Sequence, residues 1–411
     1  MLTEEQNKLL TEVEGEALMG RYMRERFWIP CARVDSLVAD GAPKLVRLLG
    51  KNYVAFRATD GRVGMFDEAC PHRGVSLTLA RNEDCALRCI FHSWKFDVSG
   101  RAVEVPSEGE RSASFAQKVK LNHYPTFEGG GLLWVWLGDG APPPRPPLPF
   151  LDLAPEQVWI SRTLSACNWL QGVEGTLDSV HVGTLHQSWI AKVRDSKRNE
   201  TIGHTLNVPP RYEVAETPYG LRAAALRRLN EDQQYVRVTE YVMPFISLVP
   251  GSMSDREGSM FISVPMDNQN HMLFWGFWKE DALHEPLNER GLRTDERDLD
   301  HYASFKGDRE NAWGQDRAAM ADGHFTGFLD CLLQEDVVVQ ASMGRIVDRT
   351  REQLCASDVA VVRARRRLLN ELAMFERDEQ GIAPRDPELA VVRPIDMVSG
   401  AGTGWRELLA H

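Results

Sequence analysis

Apolar and polar positions divide the chain into distinct textures. In "MLTEEQNKLLTEVEGEALMG" the acidic and apolar residues follow an amphipathic pattern, and residues 2–24 are predicted to form one or two short helices. From Ile29 to Leu137 the pattern changes to short apolar runs such as "LVRLLG", "YVAFRA", "VGMFDEA" and "LLWVWLG", broken by Gly, Asp and Asn. Such runs predict many strands joined by tight turns. "GDGAPPPRPPLPF", Gly138 to Phe150, can be neither helix nor central strand and reads as a stiff linker between domains. Beyond it, Cys167 to His186 reads as a helix. "RYEVAETPYGLRAAALRRL", "QQYVRVTEYVMPFISLVPG", "GSMFISVPMD" and "HMLFWGFWKE" read as strands joined by turns. The last third, from about Ala282, is expected to be mainly helical, most clearly in "DVAVVRARRRLLNELAMFERD", where apolar residues recur three and four apart. The expected organisation is an α+β chain: a helical segment 1–28, a β-rich domain 29–140, a linker 141–154, and a second domain 155–411.

Composition narrows the function classes. The length of 411 residues suffices for two cores, and 26% charged with 43% hydrophobic residues is ordinary for a globular chain. A net charge of −11 gains nothing from phosphate backbones, which argues against nucleic acid as a partner. No apolar run reaches 18 residues, so no membrane helix is expected, and the acidic start lacks the basic and apolar regions of a signal peptide. A cytoplasmic location follows as an expectation. Seven cysteines, an odd number, also argue against a disulfide framework. The Gly-rich "SGAGTGW" near the end is read as following no strand and opening no helix, so it is not taken as a nucleotide loop.

Against this background "CPHRGVSLTLARNEDCALRCIFHSW" stands out. Cys70 and His72 are one residue apart, Cys89 and His92 two apart, and sixteen residues separate the pairs. Two thiolates and two imidazoles suit a tetrahedral zinc, or a [2Fe–2S] cluster with both cysteines on one iron and both histidines on the other. Each half supplies one Cys and one His, as two facing loops gripping a cluster would, and the spacing matches the Rieske pattern. Cys85, outside both pairs, is expected to be a small buried hydrophobe.

A second metal site is expected in "GVEGTLDSVHVGTLH". Two histidines with a distant carboxylate make the facial triad of non-haem Fe(II) oxygenases. His181 and His186 are five apart, about 140° around a regular helix, so one π-type turn eased by Gly183 is expected to stack them. Asp178, three residues before His181, is placed to orient a histidine ring rather than to bind iron. The carboxylate is sought in "LLQEDVVVQASMG", where Glu335 is read as the exposed neighbour of Asp336.

Together these segments resemble the Rieske non-haem iron oxygenases, in their catalytic α-subunit, and the N-terminal 30 residues with "GRIVDRTREQLCASDVAVVRARRRLL" look like the phthalate dioxygenase subgroup. The resemblance implies a Rieske β-sandwich followed by a helix-grip catalytic domain with an antiparallel sheet. It implies that Cys70, His72, Cys89 and His92 bind the cluster, that His181, His186 and Asp336 bind mononuclear Fe(II), and that Asp178 bridges to a Rieske histidine, here His92, of a neighbouring subunit in an α₃ ring or stacked α₃ rings. No flavin or nicotinamide motif is seen. The implied electron source is an NADH-dependent reductase with FMN and a plant-type [2Fe–2S] cluster, and an acidic surface would suit a basic docking patch on it.

The implied reaction is O₂-dependent dihydroxylation of an aromatic carboxylate of the phthalate, isophthalate, chlorobenzoate or phenoxybenzoate kind. Monooxygenation or O-demethylation uses the same metal residues and is not separated by them. A purely electron-transferring Rieske protein would not need residues 155–411. Arg211, Arg222, Arg227, Arg228 and Arg237 lie among alternating apolar positions, and an inward arginine needs an anion. Arg211, at its strand's start, and Arg237 are the expected carboxylate ligands.

Overall fold

The computed structural model describes all residues except 195–199, 207–208, 251–256, 280–306, 383–385 and 411. The first part of the helical region expected from Ala282 therefore lies outside the described residues. The chain forms two compact units: Val13–Glu16 with Gly20–Arg145, and Met1–Glu12 with Ala17–Met19 and Pro146–His411.

Helices α1 (Glu4–Thr11) and α2 (Leu18–Arg26) open the chain. Thr3 starts α1 through a capping box with Gln6, which satisfies two backbone N–H groups at the helix end. Then come β1 (Ile29–Arg33), β2 (Lys44–Leu48), β3 (Lys51–Arg57), β4 (Val63–Asp67), β5 (Arg81–Glu83), β6 (Ala86–Arg88), β7 (Lys95–Asp97), β8 (Ala102–Glu104), α3 (Ser112–Ala116), β9 (Thr126–Gly129) and β10 (Leu132–Val135). They make three antiparallel sheets, ordered β1-β10-β9, β2-β3-β4 and β5-β6-β7-β8. Short strands alternate with glycine turns, as at Gly130 and Gly131, whose φ of +59° and +73° lets β9 fold back on β10. Phe56, Phe66, Leu87, Trp94 and Phe96 form a core that also takes in Cys70 and Cys89.

The other unit holds β11 (Val158–Ser165), α4 (Trp169–Leu177), α5 (Val180–Thr184), α6 (Gln187–Arg194), α7 (Glu200–Gly203), β12 (Arg211–Thr217), β13 (Gly220–Arg228), β14 (Gln233–Val242), β15 (Ile246–Pro250), β16 (Glu257–Pro265), β17 (His271–Lys279), α8 (Arg317–Ala321), α9 (Leu332–Ser342), α10 (Val359–Glu376) and β18 (Ile395–Gly400). The strands form one sheet in the order β11-β17-β16-β15-β14-β13-β12. Strand β15 pairs only Glu240–Val242 of β14, and β18 takes the rest of that edge, from Gln233 to Val238. The Gly-rich tail thus does follow a strand, contrary to expectation, but that strand lies in an antiparallel sheet rather than a nucleotide-binding βαβ unit.

Helix α4 packs on the sheet where glycine allows it: a Cβ on Gly172 would meet Ser263 Oγ at 2.5 Å and His271 Nε2 at 2.7 Å. Helix α9 packs Leu333 and Val337 against Leu273, Trp275 and Phe277 of β17. A buried ion network locks α4. Glu174 accepts from Arg349 Nε and Nη2 (2.9 and 2.8 Å) and from Arg365 Nε (2.6 Å), and Arg349 also reaches Asn7 of α1 (3.1 Å). The N-terminal helix is therefore built into the unit that holds the large sheet.

Candidate active site and metal centres

The two Cys/His loops are the same turn built twice. Cys70 N–H donates to Val75 O (2.8 Å) and Gly74 N–H to Cys70 O (2.9 Å), while Cys89 N–H donates to Trp94 O (2.9 Å) and Ser93 N–H to Cys89 O (3.0 Å). The fifth residue of each turn has positive φ, +75° at Gly74 and +60° at Ser93. The histidine is third in one turn and fourth in the other, which explains the unequal spacings. Both cysteines are buried, and burial, with Cys89 close by, pushes the Cys70 thiol up to about 11 despite the N–H of His72. The rings of His72 and His92 lie 4.5 Å apart, and His72 stacks on Trp94 at 4.4 Å. His92 Nδ1 is buried without a hydrogen-bond partner, an unfavourable state that a metal bond relieves. Among the described residues, no three of these four donors converge within 4.8 Å, as a single zinc would require. Paired thiols and paired imidazoles fit a two-iron cluster.

The predicted continuous helix from Cys167 to His186 is broken. Asn168 caps α4 by accepting from Leu170 N–H (3.1 Å), and α4 ends at Asp178, whose ψ of +108° is extended. Asp178 Oδ1 then accepts Val180 N–H (2.7 Å), which starts α5. Ser179, at the break, is clamped from the sheet: its carbonyl accepts from Arg227 Nη2 (2.8 Å) and its N–H donates to the Tyr212 hydroxyl. The expected π-type turn is absent. Leu185 N–H bonds His181 O in ordinary α fashion, and the two rings converge through their side chains, with centroids 5.2 Å apart at 76°.

The structure brings His181, His186 and Asp336 together. Their ligand atoms all lie within 4.8 Å of one another, and Asp336 Oδ1 is 3.4 Å from His181 Nε2 and 3.3 Å from His186 Nε2. Donors on one face of an octahedron with bonds of about 2.1 Å lie about 3.0 Å apart, and both carboxylate–imidazole distances are close to that, so the set suits a single ion. The electrostatics favour positive charge here. Burial opposes a charged His181, yet Asp178 and Asp336 outweigh it and lift the ring to about 10. Against its own burial, His186 and His181 hold Asp336 well below the carboxylate range. Asp178 Oδ2 stands 3.4 Å from His181 Nδ1, behind the ring, as its spacing predicted.

Two sequence readings are corrected. Glu335 is not the exposed neighbour: it is fully buried, its Oε2 2.7 Å from His186 Nδ1 and its Oε1 accepting from the Thr326 hydroxyl. Helix α9 is covered on both the sheet and the histidine side, which its sequence does not reveal. Arg211 is not at the site: its side chain is 71% exposed and pairs with Glu213 (2.7 Å) at the outer edge strand. Of the other arginines, Arg222 pairs with the buried Glu240, and Arg227 serves the Ser179 clamp.

The triad opens into a cavity of about 150 Å³. Trp189, Phe261, Trp275 and Phe277 supply aromatic walls, and Arg237 and Thr239 line the same cavity. Arg237 is buried, with Nη1 3.5 Å from Asp396 Oδ2 of β18.

Comparison with known proteins agrees with this geometry. Residues 27–125 match the Rieske [2Fe-2S] domain and residues 135–411 match the LigXa C-terminal domain like family. The phthalate 4,5-dioxygenase oxygenase subunit of Pseudomonas putida is 39% identical, over 100% of this chain and 95% of its own length. The 3-chlorobenzoate-3,4-dioxygenase oxygenase subunit of Comamonas testosteroni is 34% identical, over 90% of this chain and 88% of its own. The terminal oxygenase of carbazole 1,9a-dioxygenase from Nocardioides aromaticivorans IC177 shares the fold, with a TM-score of 0.58 at 19% identity over 92% of this chain and 98% of that one. Two metal centres, a sheet gripping a helix, and full-length relatives converge: the chain belongs to the Rieske non-haem iron oxygenases, as an aromatic ring-hydroxylating oxygenase subunit of the phthalate dioxygenase-like group with a Rieske [2Fe–2S] cluster and a mononuclear iron.

Proposed function

We propose that the enzyme dihydroxylates a one-ring aromatic carboxylate to a cis-dihydrodiol. The observation that carries this is a single cavity shared by the iron triad, aromatic walls and Arg237. A cavity near 150 Å³ is the size that takes one benzene ring, and aromatic walls favour ring stacking. A guanidinium binds a carboxylate through paired N–H donors and so fixes the ring's orientation. The relatives that act on phthalate and 3-chlorobenzoate support the same substrate class.

In this reading Cys70, His72, Cys89 and His92 hold the cluster, in a Rieske domain spanning 29–140, and His181, His186 and Asp336 hold the iron in the domain 155–411 that follows the linker 141–154. The bound iron supplies O₂ activation, with electrons from the cluster. Asp178 accepts the His181 Nδ1–H and links it to His92 of a neighbouring subunit, so the working unit is a homo-oligomer, an α₃ ring or stacked rings. Electrons come from NADH through a reductase with FMN and a plant-type [2Fe–2S] cluster, for which a chain of net charge −11 offers an acidic partner surface. The test is single turnover of the reduced protein under ¹⁸O₂ with benzoate, 3-chlorobenzoate, phthalate, isophthalate and naphthalene. Two labelled oxygens in a cis-diol of one of the acids are expected. Equal turnover of naphthalene would remove the carboxylate assignment.

A further inference from the structure

We infer that Glu335 is a positioning residue that sets which nitrogen of His186 faces the iron, an inference that rests on the iron assignment above. A neutral imidazole carries one N–H, and its partner decides where. Here the ring lies between two consecutive residues of α9. Asp336 Oδ1 stands 3.3 Å from Nε2, and Glu335 Oε2 stands 2.7 Å from Nδ1. Consecutive helical residues point about 100° apart, so one helix can reach both sides of one ring. A carboxylate can only accept, so Glu335 places the proton on Nδ1 and leaves the Nε2 lone pair for the metal.

The rest of the contact is built to hold that arrangement. Phe328 N–H donates to Thr326 Oγ1 (3.3 Å), which leaves the Thr326 hydroxyl proton for Glu335 Oε1. Glu335 is 0%, His186 3% and Thr326 6% exposed, so water does not compete for any of these bonds. Among the described residues, the Glu335 oxygens meet only His186 and Thr326, with no Lys or Arg. A sealed carboxylate without a cation is costly, and the imidazole relays the metal's charge to it. The second histidine is held differently: Asp178 lies 3.4 Å from His181 Nδ1 and its side chain is 33% exposed.

Two variants of the full-length protein test this. Glu335→Leu removes the acceptor at similar size, and iron affinity, read by chelator competition, should fall about 10- to 100-fold while the EPR spectrum of the reduced Rieske cluster stays unchanged. Glu335→Gln keeps an acceptor oxygen and is the safer variant for folding. With Cu(II) loaded in the mononuclear site and the cluster oxidised, pulsed EPR reads the remote imidazole nitrogens. Glu335→Gln should shift the quadrupole frequencies of one of the two histidines and leave the other as in wild type. Unchanged remote-nitrogen frequencies, or wild-type iron affinity in Glu335→Leu, would overturn the inference. If the wild-type protein takes up no iron that Asp336→Ala abolishes, the site assignment itself fails, which is a separate result.

Discussion

Replacing Arg237 by Gln should separate substrate binding from chemistry, and the structure sets the size of the effect. The guanidinium is buried at the cavity wall, its Nη1 3.5 Å from Asp396 Oδ2 and its Nη2 3.5 Å from Pro250 O. A hydrogen bond to a charged group is worth about 1.5–3 kcal/mol, or roughly 10- to 150-fold in KM for an aromatic carboxylate. The same substitution has a structural cost. Both Asp396 oxygens are buried and without a hydrogen-bond partner, so removing Arg237 leaves an uncompensated carboxylate, costing about 3 kcal/mol or more. The double variant Arg237→Gln/Asp396→Asn removes both charges. It should regain most of the lost stability in urea unfolding and yet keep the raised KM. Asp396→Asn alone should lower KM several-fold, because the guanidinium is no longer shared. The measurements are KM for benzoate and a neutral arene in all four proteins, with iron and cluster content as controls. A wild-type KM in the double variant, or an equal rise in KM for the neutral arene, would refute a carboxylate role for Arg237 and leave it a structural partner of β18.

Other outcomes follow from the metal site and its supports. Asp178→Asn should retain both metals by iron and sulfide analysis but lose most turnover, since the acceptor charge behind His181 is gone; loss of mononuclear iron instead would make Asp178 a ligand. Asp336→Ala should empty the mononuclear site and leave the Rieske EPR signal intact, and an unchanged iron content would dismiss the triad. Glu174 is held below the ordinary carboxylate range, with Arg349 and Arg365 overcoming its burial. Its contribution to stability is therefore present above the unfolded value of about 4.3 and lost as pH falls through the lower folded value. Glu174→Gln should lower stability at pH 7 by about 3 kcal/mol in urea titrations and flatten the acid limb of the stability profile; parallel profiles would count against the network.

Some of this was legible in the chain alone because it is local. Each Rieske half lies within six residues, so ligand type and spacing already specify a turn that presents a Cys and a His together. The strands of the large sheet were equally readable, since period-two alternation and turn residues act over a few positions. His181, His186 and Asp336 stand out in the sequence and converge in the structure, but the local geometry that brings them together is not readable there: the helix breaks at Asp178 because Arg227 and Tyr212, from β13 and β12, hold Ser179, and no pattern within 167–186 carries that information. The same limit applied to the arginines. Alternation states which residues share a face of β14, but nine of its ten residues are buried, so both faces are interior and alternation cannot say which one meets the cavity. Arg211 looked equivalent to Arg237 until the sheet order put β12 at the edge and β18 beside β14. Glu335 and Asp336 differ by one position on one helix, and which of them reaches the metal and which is sealed behind a histidine was decided by what packs around α9. Local chemistry is written in short-range spacing; burial, ion pairing and the aim of a side chain depend on segments distant in sequence, and only the tertiary structure brings those together.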